Sequence, residues 1–599
     1  MKKFLFIIIF TFFSVNYTFS VPAKPVVIKV LQKDGTEILI RQYGDEHFHF
    51  KTTEDGILIN ENADGIFEYA KINENGDISS TGMLAKNKNF RSNKEIDFVS
   101  TLDNNVFEIA KNIINKRVEQ KNLMKSAAQS YTAVGEKGLV ILVNFKDKAF
   151  VTPNSNTAFH NLLNKKGYNL NNAIGSARDY FIACSDSIFQ PTFDVYGPYT
   201  LPQNMAYYGT NDSHGDDKNA EQMIIDACNL AKNDVNFAQY DTDENGFVDN
   251  VFVFYAGYNE ASGGDANTIW PHRSTVVKSK NNAPQFNGVK IYDYACSSEL
   301  KNNSGSEMDG IGTFCHEFSH VLGLPDLYNT VNEYDTNLQY WDIMDIGCYN
   351  GTNRDGDVPA MYSAYEMFYV GWLTPEILTQ CDDYTLEPLE NSPKKAYLVA
   401  QSDSHNLNGK NPNATQFYMI ENRQQISYDE YLPNSGLLIT RINFNQSKWN
   451  YNMVNNSTPK GVEIMKAGNT MENWVFPATN KTSFNFVSAT GSTNWNKSVS
   501  KIAKNTQSKT VSFSFCETTS INETEKNDFN LINSQLNWYI SIDYSSYSLE
   551  IYTVNGVLLK TFDFENEITV EKNDFPNGVY LLKIKDLNTQ KVYFSKAIK

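Results

Sequence analysis

The sequence predicts a multidomain protein in which an α+β (α/β) central domain is flanked by an N-terminal α+β region and C-terminal all-β domains. The chain has 599 residues, more than the roughly 250–300 at which a single hydrophobic core stops growing. Residues 138–144 form a continuous apolar run that is typical of a buried central strand. From about residue 375 the pattern changes to short alternating strands, such as 436–442 and 510–515.

The composition is that of a folded protein with an acidic surface. Hydrophobic residues make up 41% of the chain and charged residues 20%, which argues against extensive disorder. There are 69 acidic residues against 52 basic ones, giving a net charge of −17. Because such a surface repels phosphate backbones, we expect no nucleic-acid partner.

The first 20 residues are typical of a secretion signal. Two lysines precede the apolar stretch 4–13, and Thr18-Phe19-Ser20 offers a small-x-small cleavage site. A membrane anchor is the alternative, but it needs roughly 20 apolar residues. We therefore expect a cleaved Sec signal and no transmembrane segment in the mature chain.

Changes in pattern predict five further segments: a unit of small strands and one helix, a central domain, an all-β module, an acid-rich linker and a small β domain. In the first unit, Asp-Gly turns at 34–35 and 55–56 favour an antiparallel meander. Apolar residues at helical spacing from Val106 to Val118 favour a helix. The expected bounds of the five segments are 21–127, 134–374, 375–516, 517–529 and 530–599.

One stretch of the central domain predicts a metal site. The residues from Ile311 to Leu322 can form a helix, on which His316 and His320 share one face. Gly323 can end that helix in the left-handed conformation, so the chain reverses and can bring Asp326 to the same ion. Two imidazoles and a carboxylate leave one position of a tetrahedral Zn²⁺ open for water, as in catalytic sites.

Glu317 supplies the remaining chemical group. A zinc ion lowers the pKa of its water towards about 7 and polarises a peptide carbonyl. Glu317 can take the proton as the water attacks and return it to the departing amine. The pattern therefore predicts a zinc-dependent endopeptidase acting on protein or peptide substrates.

The sequence HEFSHVLGLPD, residues 316–326, resembles the zinc signature of the metzincin clan, and specifically of the immune inhibitor A family. The resemblance covers roughly residues 25–445 and implies a metzincin-like fold for the central domain. It also implies that Met344, in YWDIMD, forms the methionine turn beneath the metal. Some metzincins carry an oxyanion-steadying Tyr two residues after that methionine. Ile346 stands there instead, and nearby Tyr349 is left without an assigned role.

Two other functions stay open at this point. A gluzincin-type protease would take its third ligand from a later glutamate, with Glu333 and Glu366 available. A catalytically dead surface adhesin or binding protein could keep the same fold. Asp326 at the signature spacing disfavours the first alternative, and the full set of catalytic groups disfavours the second.

A second metal site is predicted around residue 245. Oxygen atoms at alternate positions with Gly246 at the sixth are typical of a Ca²⁺ loop. The twelfth position is Phe252 rather than the Glu of an EF-hand, so we expect a shorter calcium loop that braces the domain. The candidate ligands are Asp241, Asp243, Asn245, Phe247 and Asp249.

The first unit resembles the propeptide of the same family, which implies a latent precursor. It contains no cysteine, so a thiolate cannot cap the zinc. One hypothesis is that a carboxylate or imidazole from Asp45 to His49 blocks the open position. The alternative is that the propeptide simply fills the cleft. Activation would then require cleavage near Lys125.

The C-terminal residues 554–556 and 576–584 resemble the type A sorting domain of the type IX secretion system. The resemblance implies a secreted or cell-surface protein that uses this secretion machinery as a partner. The alternative is a carbohydrate- or partner-binding β module.

Overall fold

The protein is described here by a computed structural model. The chain divides into two compact units, residues 1–516 and 517–599. The structure describes residues 19–45, 48–62, 64–73, 76–102, 106–112, 136–212, 215–277, 280–330, 337–517, 529–534, 536–554, 556–589 and 592–599. The expected multidomain α+β chain with C-terminal all-β sheets is confirmed.

The N-terminal part is a six-stranded antiparallel sheet whose strands follow one another in chain order, so the predicted meander is confirmed. The helix Asn93–Ser100 was not predicted from the sequence; it begins with a capping box between Ser92 and Glu95. Residues 106–112 are helical as expected, and 113–118 lie outside the described residues. The strands are Ile28–Leu31, Glu37–Asp45, Phe48–Thr53, Leu58–Glu61, Phe67–Ile72 and Ile78–Leu84.

The central domain is built on a mixed six-stranded sheet. Lys137–Asn144, the apolar run, is a buried strand that pairs in parallel with both of its neighbours. The strand His272–Thr275 is antiparallel and leaves an edge to which Phe19–Ser20 is added. The order across the sheet is Phe19–Ser20, His272–Thr275, Asp293–Ser298, Val251–Tyr255, Lys137–Asn144 and Thr192–Thr200.

Helices cover this sheet, and the helix Ile311–Val321 carries the histidines. The centroid of its Phe314 ring lies 4.5 Å from that of Phe252 in the sheet and 5.0 Å from that of Phe193. Every residue of the helix is buried, so the polar side chains on its other face are enclosed by the following loops. The α-helices of the domain are Ser155–Asn164, Ala177–Cys184, Met205–Gly209, Ala220–Ala231, Ile311–Val321 and Ala364–Val370.

Short elements connect the longer strands and helices in both compact units. A two-stranded ribbon joins Gln285–Phe286 to Val289–Lys290. The 3₁₀ turns are Lys88–Phe90, Leu170–Asn172, Phe237–Tyr240, Lys280–Asn282, Gln339–Trp341, Ile346–Tyr349, Thr352–Arg354, Ser427–Asp429, Met471–Asn473 and Lys572–Asp574.

The all-β module after residue 375 packs two sheets around one apolar core. A disulfide between Cys381 and Cys516, with an S–S distance of 2.05 Å, joins the two ends of the module. The first sheet contains, in order, Glu376–Ile377, Tyr397–Ala400, Gln416–Arg423, Gly436–Asn443 and Val462–Ile464. The second contains Asp382–Leu386, Val511–Glu517, Asn494–Lys504 and Phe484–Val487, and the module has one helix, Gln446–Asn450.

The C-terminal unit is an antiparallel sheet with its own small core around the fully buried Trp538. Its strands are Phe529–Asn533, Asn537–Thr553, Leu558–Glu571, Val579–Asp586 and Val592–Ile598. Among the described residues of the whole chain, no helix has the length and apolar character needed to cross a membrane.

Candidate metal centre

The predicted helix and its termination place the two histidines. The helix runs from Ile311 to Val321, and Gly323 follows with a φ of 101°, a left-handed value that Gly adopts without steric cost. Gly312 lets the chain after the helix approach closely, because a Cβ there would lie 1.9 Å from the Cys348 carbonyl oxygen. The predicted helix and glycine reversal are therefore confirmed.

Both imidazoles are fixed in the same tautomer by main-chain carbonyls. His316 Nδ1 donates to the Ile343 carbonyl at 2.7 Å, and His320 Nδ1 donates to the Leu324 carbonyl at 2.8 Å. A carbonyl only accepts, so each Nδ1 carries the proton and each Nε2 keeps its lone pair. Burial lowers the pKa of His320, which favours the neutral imidazole that a metal requires.

Three donor atoms converge at the distances expected of ligands around one ion. His316 Nε2 and His320 Nε2 are 3.2 Å apart. Asp326 Oδ1 lies 3.2 Å from the first and 3.4 Å from the second, and all three side chains are fully buried. In a tetrahedral zinc site with ligand distances of about 2.0–2.1 Å, neighbouring ligand atoms are about 3.3 Å apart. The residues present therefore fit a zinc ion.

Asp326 is oriented by a residue of the all-β module. Its main-chain N–H donates to Asn452 Oδ1 at 2.7 Å, and Asn452 Nδ2 donates to Asp326 Oδ2 at 2.5 Å. Oδ2 is thus occupied by the amide, and Oδ1 faces the imidazoles. Nothing in the sequence near Asn452 indicates this role, because tertiary packing brings it across 126 positions.

The predicted methionine turn lies directly beside these residues. Met344 is fully buried, and its carbonyl accepts from the Leu327 N–H at 2.8 Å. The preceding Ile343 carbonyl is the one that fixes His316. The alternative ligand Glu366 instead caps its own helix by accepting from Ser363. The other alternative, Glu333, lies outside the described residues.

An extended N-terminal segment runs through the cleft beside the three converging side chains. Phe19 and Ser20 pair antiparallel with Arg273 and His272 of the sheet edge. The Val21 N–H then donates to Glu317 Oε1 at 3.0 Å. Glu317 therefore already contacts a peptide nitrogen.

Aromatic side chains bind the successive carbonyls of that segment. Tyr328 Oη donates to the Ser20 carbonyl at 2.8 Å and Trp270 Nε1 to the Val21 carbonyl at 2.9 Å. Tyr349, which the sequence left unassigned, donates to the Pro22 carbonyl at 2.8 Å. Sequence reasoning missed Tyr328, although its place two residues after Asp326 was an available signal.

Within the stretch from Asp45 to His49 that was expected to cap the metal, His49 needs correction. His49 Nε2 lies 3.1 Å from Glu260 Oε1, and its Nδ1 lies 3.2 Å from the Asp45 carbonyl. The His49 ring also packs against Trp270, with centroids 4.8 Å apart. His49 therefore joins the N-terminal six-stranded sheet to the central domain through a buried ion pair. Residues 46–47 lie outside the described residues.

The predicted calcium loop brings three carboxylates together. Asp241, Asp243 and Asp249 each offer an oxygen atom, and these atoms lie within 4.8 Å of one another. The main-chain N–H groups of Asn245 and Gly246 donate to Asp241 at 2.9 Å, which closes the loop around that carboxylate. The strand Val251–Tyr255 follows at once and contains Phe252.

Two family models match this chain. Residues 125–373 match the catalytic domain of the immune inhibitor A peptidase M6 family, and residues 532–599 match a secretion system C-terminal sorting domain. The first match contains the converging ligands, Glu317 and the predicted calcium loop. The second indicates a secreted or cell-surface protein.

Curated relatives match the same part of the chain. The pre-pro-metalloprotease PrtV of Vibrio cholerae is 28% identical over 287 residues, covering 41% of this chain and 29% of the relative. Immune inhibitor A of Bacillus thuringiensis is 28% identical over 195 residues, covering 27% of each chain. A putative secreted metallopeptidase of Arthroderma benhamiae is 23% identical over 354 residues, covering 47% of this chain and 49% of the relative. The alignments thus span about half or less of the length of these relatives.

Proposed function

Because residues 125–373 match an immune inhibitor A peptidase domain, we propose that this protein is a secreted zinc-dependent endopeptidase made as a latent precursor. One observation carries the proposal. In the chain that still carries residues 1–20, the nitrogen of the Ser20–Val21 peptide bond lies 3.0 Å from Glu317 Oε1 and its carbonyl oxygen accepts from Tyr328, beside three converging ligand atoms. A peptide is therefore held where hydrolysis requires it.

His316, His320 and Asp326 would hold the zinc ion in a metzincin-like domain, with Met344 beneath it. When bound, zinc supplies a water of lowered pKa and polarises the substrate carbonyl. The protein supplies orientation: Ile343 and Leu324 fix the imidazoles, and the buried setting excludes bulk water.

Glu317 handles the proton. Its carboxylate takes a proton from the attacking water and passes it to the nitrogen of the departing amine. Glu317 Oε1 is 3.0 Å from the Val21 nitrogen, which occupies the place of that amine nitrogen. Transfer would therefore require no large movement of the side chain.

Tyr328 is the residue we assign to the carbonyl oxygen of the cleaved bond. Its hydroxyl donates to the Ser20 carbonyl, which belongs to the same peptide unit as the Val21 nitrogen. As negative charge grows on that oxygen, a fixed donor stabilises the transition state more than the ground state. Tyr328 thus stabilises the oxyanion, which the apolar side chain of Ile346 cannot do.

Latency follows from the same segment. Residues 21–127 would be the propeptide, and Val21 to Lys24 fill the cleft, so no substrate can enter while they remain. This arrangement agrees with the simpler of the two latency hypotheses, in which the propeptide occupies the cleft. Release would follow cleavage near Lys125, a position outside the described residues.

The remaining segments would serve export and stability. Residues 1–20 would direct Sec export and 530–599 would engage the type IX machinery. The module 375–516 would support the site through Asn452. A Ca²⁺ ion held by Asp241, Asp243 and Asp249, with Asn245 and Phe247 as further oxygen donors, would brace the start of the strand Val251–Tyr255.

The proposed activity is tested on the processed chain with casein as substrate. We expect hydrolysis that a chelator abolishes and that added Zn²⁺ restores. Glu317→Ala should lose roughly 10³-fold or more in kcat, since both proton transfers are removed. Hydrolysis retained in this variant would contradict the assigned base, and insensitivity to the chelator would contradict the metal.

A further inference from the structure

The side chain of Lys24 fills an acidic pocket at the far end of the occupied cleft. We propose that, once the N-terminal segment has left, this pocket binds a lysine or arginine side chain of the substrate at the fourth position after the cleaved bond. The inference rests on the proposed peptidase function and adds a substrate preference to it.

The contacts of Lys24 show a site built for a cation. Its side chain is only 3% exposed, and Nζ lies 2.7 Å from Asp355 Oδ1. Nζ also donates to Asn302 Oδ1 at 2.6 Å. Asp355 itself is 7% exposed and its other oxygen lies 3.1 Å from Lys301 Nζ. The ammonium group is thus held by an oriented carboxylate and an amide, away from bulk water.

Two further carboxyl groups lie within electrostatic range of Lys24. Burial raises the pKa of Asp309 to about 6, and the charge of Lys24 opposes this rise. Burial likewise raises the pKa of Asp357 to about 6, opposed by the charges of Lys301 and Lys24. Asp357 is 2% exposed, and its Oδ2 has no hydrogen-bond partner among the described residues.

Removal of the N-terminal segment changes the charge balance of this pocket. Lys24 leaves with the propeptide, whereas Asp309, Asp355 and Asp357 stay, with Lys301 as the neighbouring cation. Buried carboxylates without a counter-charge are unfavourable. An incoming ammonium or guanidinium group would restore the lost ion pair, while an acidic side chain would add repulsion.

The register follows from the contact at Glu317. The Val21 nitrogen occupies the place of the departing amine, so Val21 stands first after the cleaved bond and Lys24 stands fourth. The main-chain N–H of Lys24 donates to the Ala261 carbonyl at 2.8 Å, a contact to the central domain that does not depend on the side chain. A substrate in the same register would therefore present its fourth side chain to Asp355.

The test uses the full chain after removal of its propeptide and four fluorogenic peptides that differ only at the fourth position, with Lys, Arg, Ala or Glu. Mass spectrometry of the products verifies the cleaved bond. We expect kcat/KM for Lys and Arg to exceed that for Ala by about tenfold, with Glu below Ala. Equal values for all four peptides would overturn the subsite alone. Failure to cleave the peptides and casein would overturn the peptidase function with it.

Asp355→Asn provides the matched variant, since it removes the charge and keeps the shape. We expect its Lys-to-Ala ratio of kcat/KM to fall towards one. Asp403→Asn, which removes the carboxylate paired with Lys497 in the all-β module, should keep the wild-type ratio. An unchanged ratio in Asp355→Asn would overturn the assignment. Should that variant not fold, the wild-type chain must cleave the Lys peptide with a higher kcat/KM than a peptide with norleucine, an uncharged side chain of similar length, at the fourth position, and equal values would equally overturn it.

Discussion

Asn452 and Asp326 are joined by two hydrogen bonds, one through the main-chain N–H and one through the carboxylate of the aspartate. The asparagine belongs to the all-β module and the aspartate to the proposed metal site. The module is therefore coupled to the site through its carboxylate ligand. The pairing assigns one carboxylate oxygen to the amide and leaves the other for the metal.

Loss of that pairing should weaken the metal site. Asn452→Ala is expected to reduce zinc affinity by about 10–100-fold, because a residue that orients a ligand contributes at this level. Competition with a chromogenic chelator measures the change. Asn450→Ala, at the end of the helix Gln446–Asn450 two residues earlier and with an exposed hydrogen bond to Gln446, is the control. Equal affinity in both variants would contradict a positioning role for Asn452.

Substitution of the two tyrosines of the cleft should change different kinetic constants. Tyr328→Phe removes the donor at the carbonyl of the cleaved bond and is expected to lower kcat by about 10²-fold with little change in KM. Tyr349→Phe removes a contact to the Pro22 carbonyl, two residues further along, and should mainly raise KM. Steady-state kinetics on one peptide distinguish them. A KM effect alone in Tyr328→Phe would contradict its assignment.

The buried pair His49–Glu260 predicts a pH dependence of precursor stability. Burial alone would lower the pKa of His49, but the charge of Glu260 outweighs it and raises the pKa above 6.5. Burial alone would raise the pKa of Glu260, but the charge of His49 outweighs it and lowers the pKa below 4.5. The pair therefore stabilises the folded precursor fully only between pH 4.5 and pH 6.5, the ordinary pKa values of the two groups. This stabilisation is lost as pH rises through the raised pKa of His49 or falls through the lowered pKa of Glu260.

Thermal unfolding of the Glu317→Ala precursor measures this dependence without self-processing. We expect a higher Tm at about pH 6 than at about pH 9, and His49→Gln should shrink the difference. His160→Gln, which alters an exposed histidine on the helix Ser155–Asn164, serves as the control and should retain it. A pH profile that His49→Gln leaves unaltered would contradict the role of the pair.

The acidic loop predicts stabilisation by calcium. Ca²⁺ at 100 times its dissociation constant should add about 2.7 kcal/mol to the free energy of unfolding of the domain. The double variant Asp241→Ala with Asp243→Ala should lose this gain. Glu244→Gln, which alters an exposed acid outside the cluster of three carboxylates, should keep it. A Tm that does not respond to Ca²⁺ in the wild-type chain would exclude the site.

Features set by short-range chain geometry could be predicted from the sequence. The i, i+4 spacing of His316 and His320 requires only helical periodicity, and Gly323 requires only the conformational freedom of glycine. The apolar run 138–144 likewise identified a buried strand without knowledge of its partners. The prediction of three converging ligands needed no long-range information beyond one reversal of the chain.

Long-range contacts could not be predicted in the same way. Asn452 and Lys24 reach the cleft from distant parts of the chain, and ordinary surface asparagines and lysines have the same local sequence features. His49 illustrates the converse error, since a histidine in an acidic stretch suggested a metal ligand. The fold instead pairs it with Glu260, more than 200 positions away.

The claim on which the other proposals depend is that His316, His320 and Asp326 share one zinc ion. Anomalous diffraction at the zinc edge from crystals grown with Zn²⁺ tests this directly. We expect one peak about 2.0–2.2 Å from both Nε2 atoms and from Asp326 Oδ1, and its loss in Asp326→Ala. Crystals with no peak between these three atoms, or with a peak on other residues, would contradict the account.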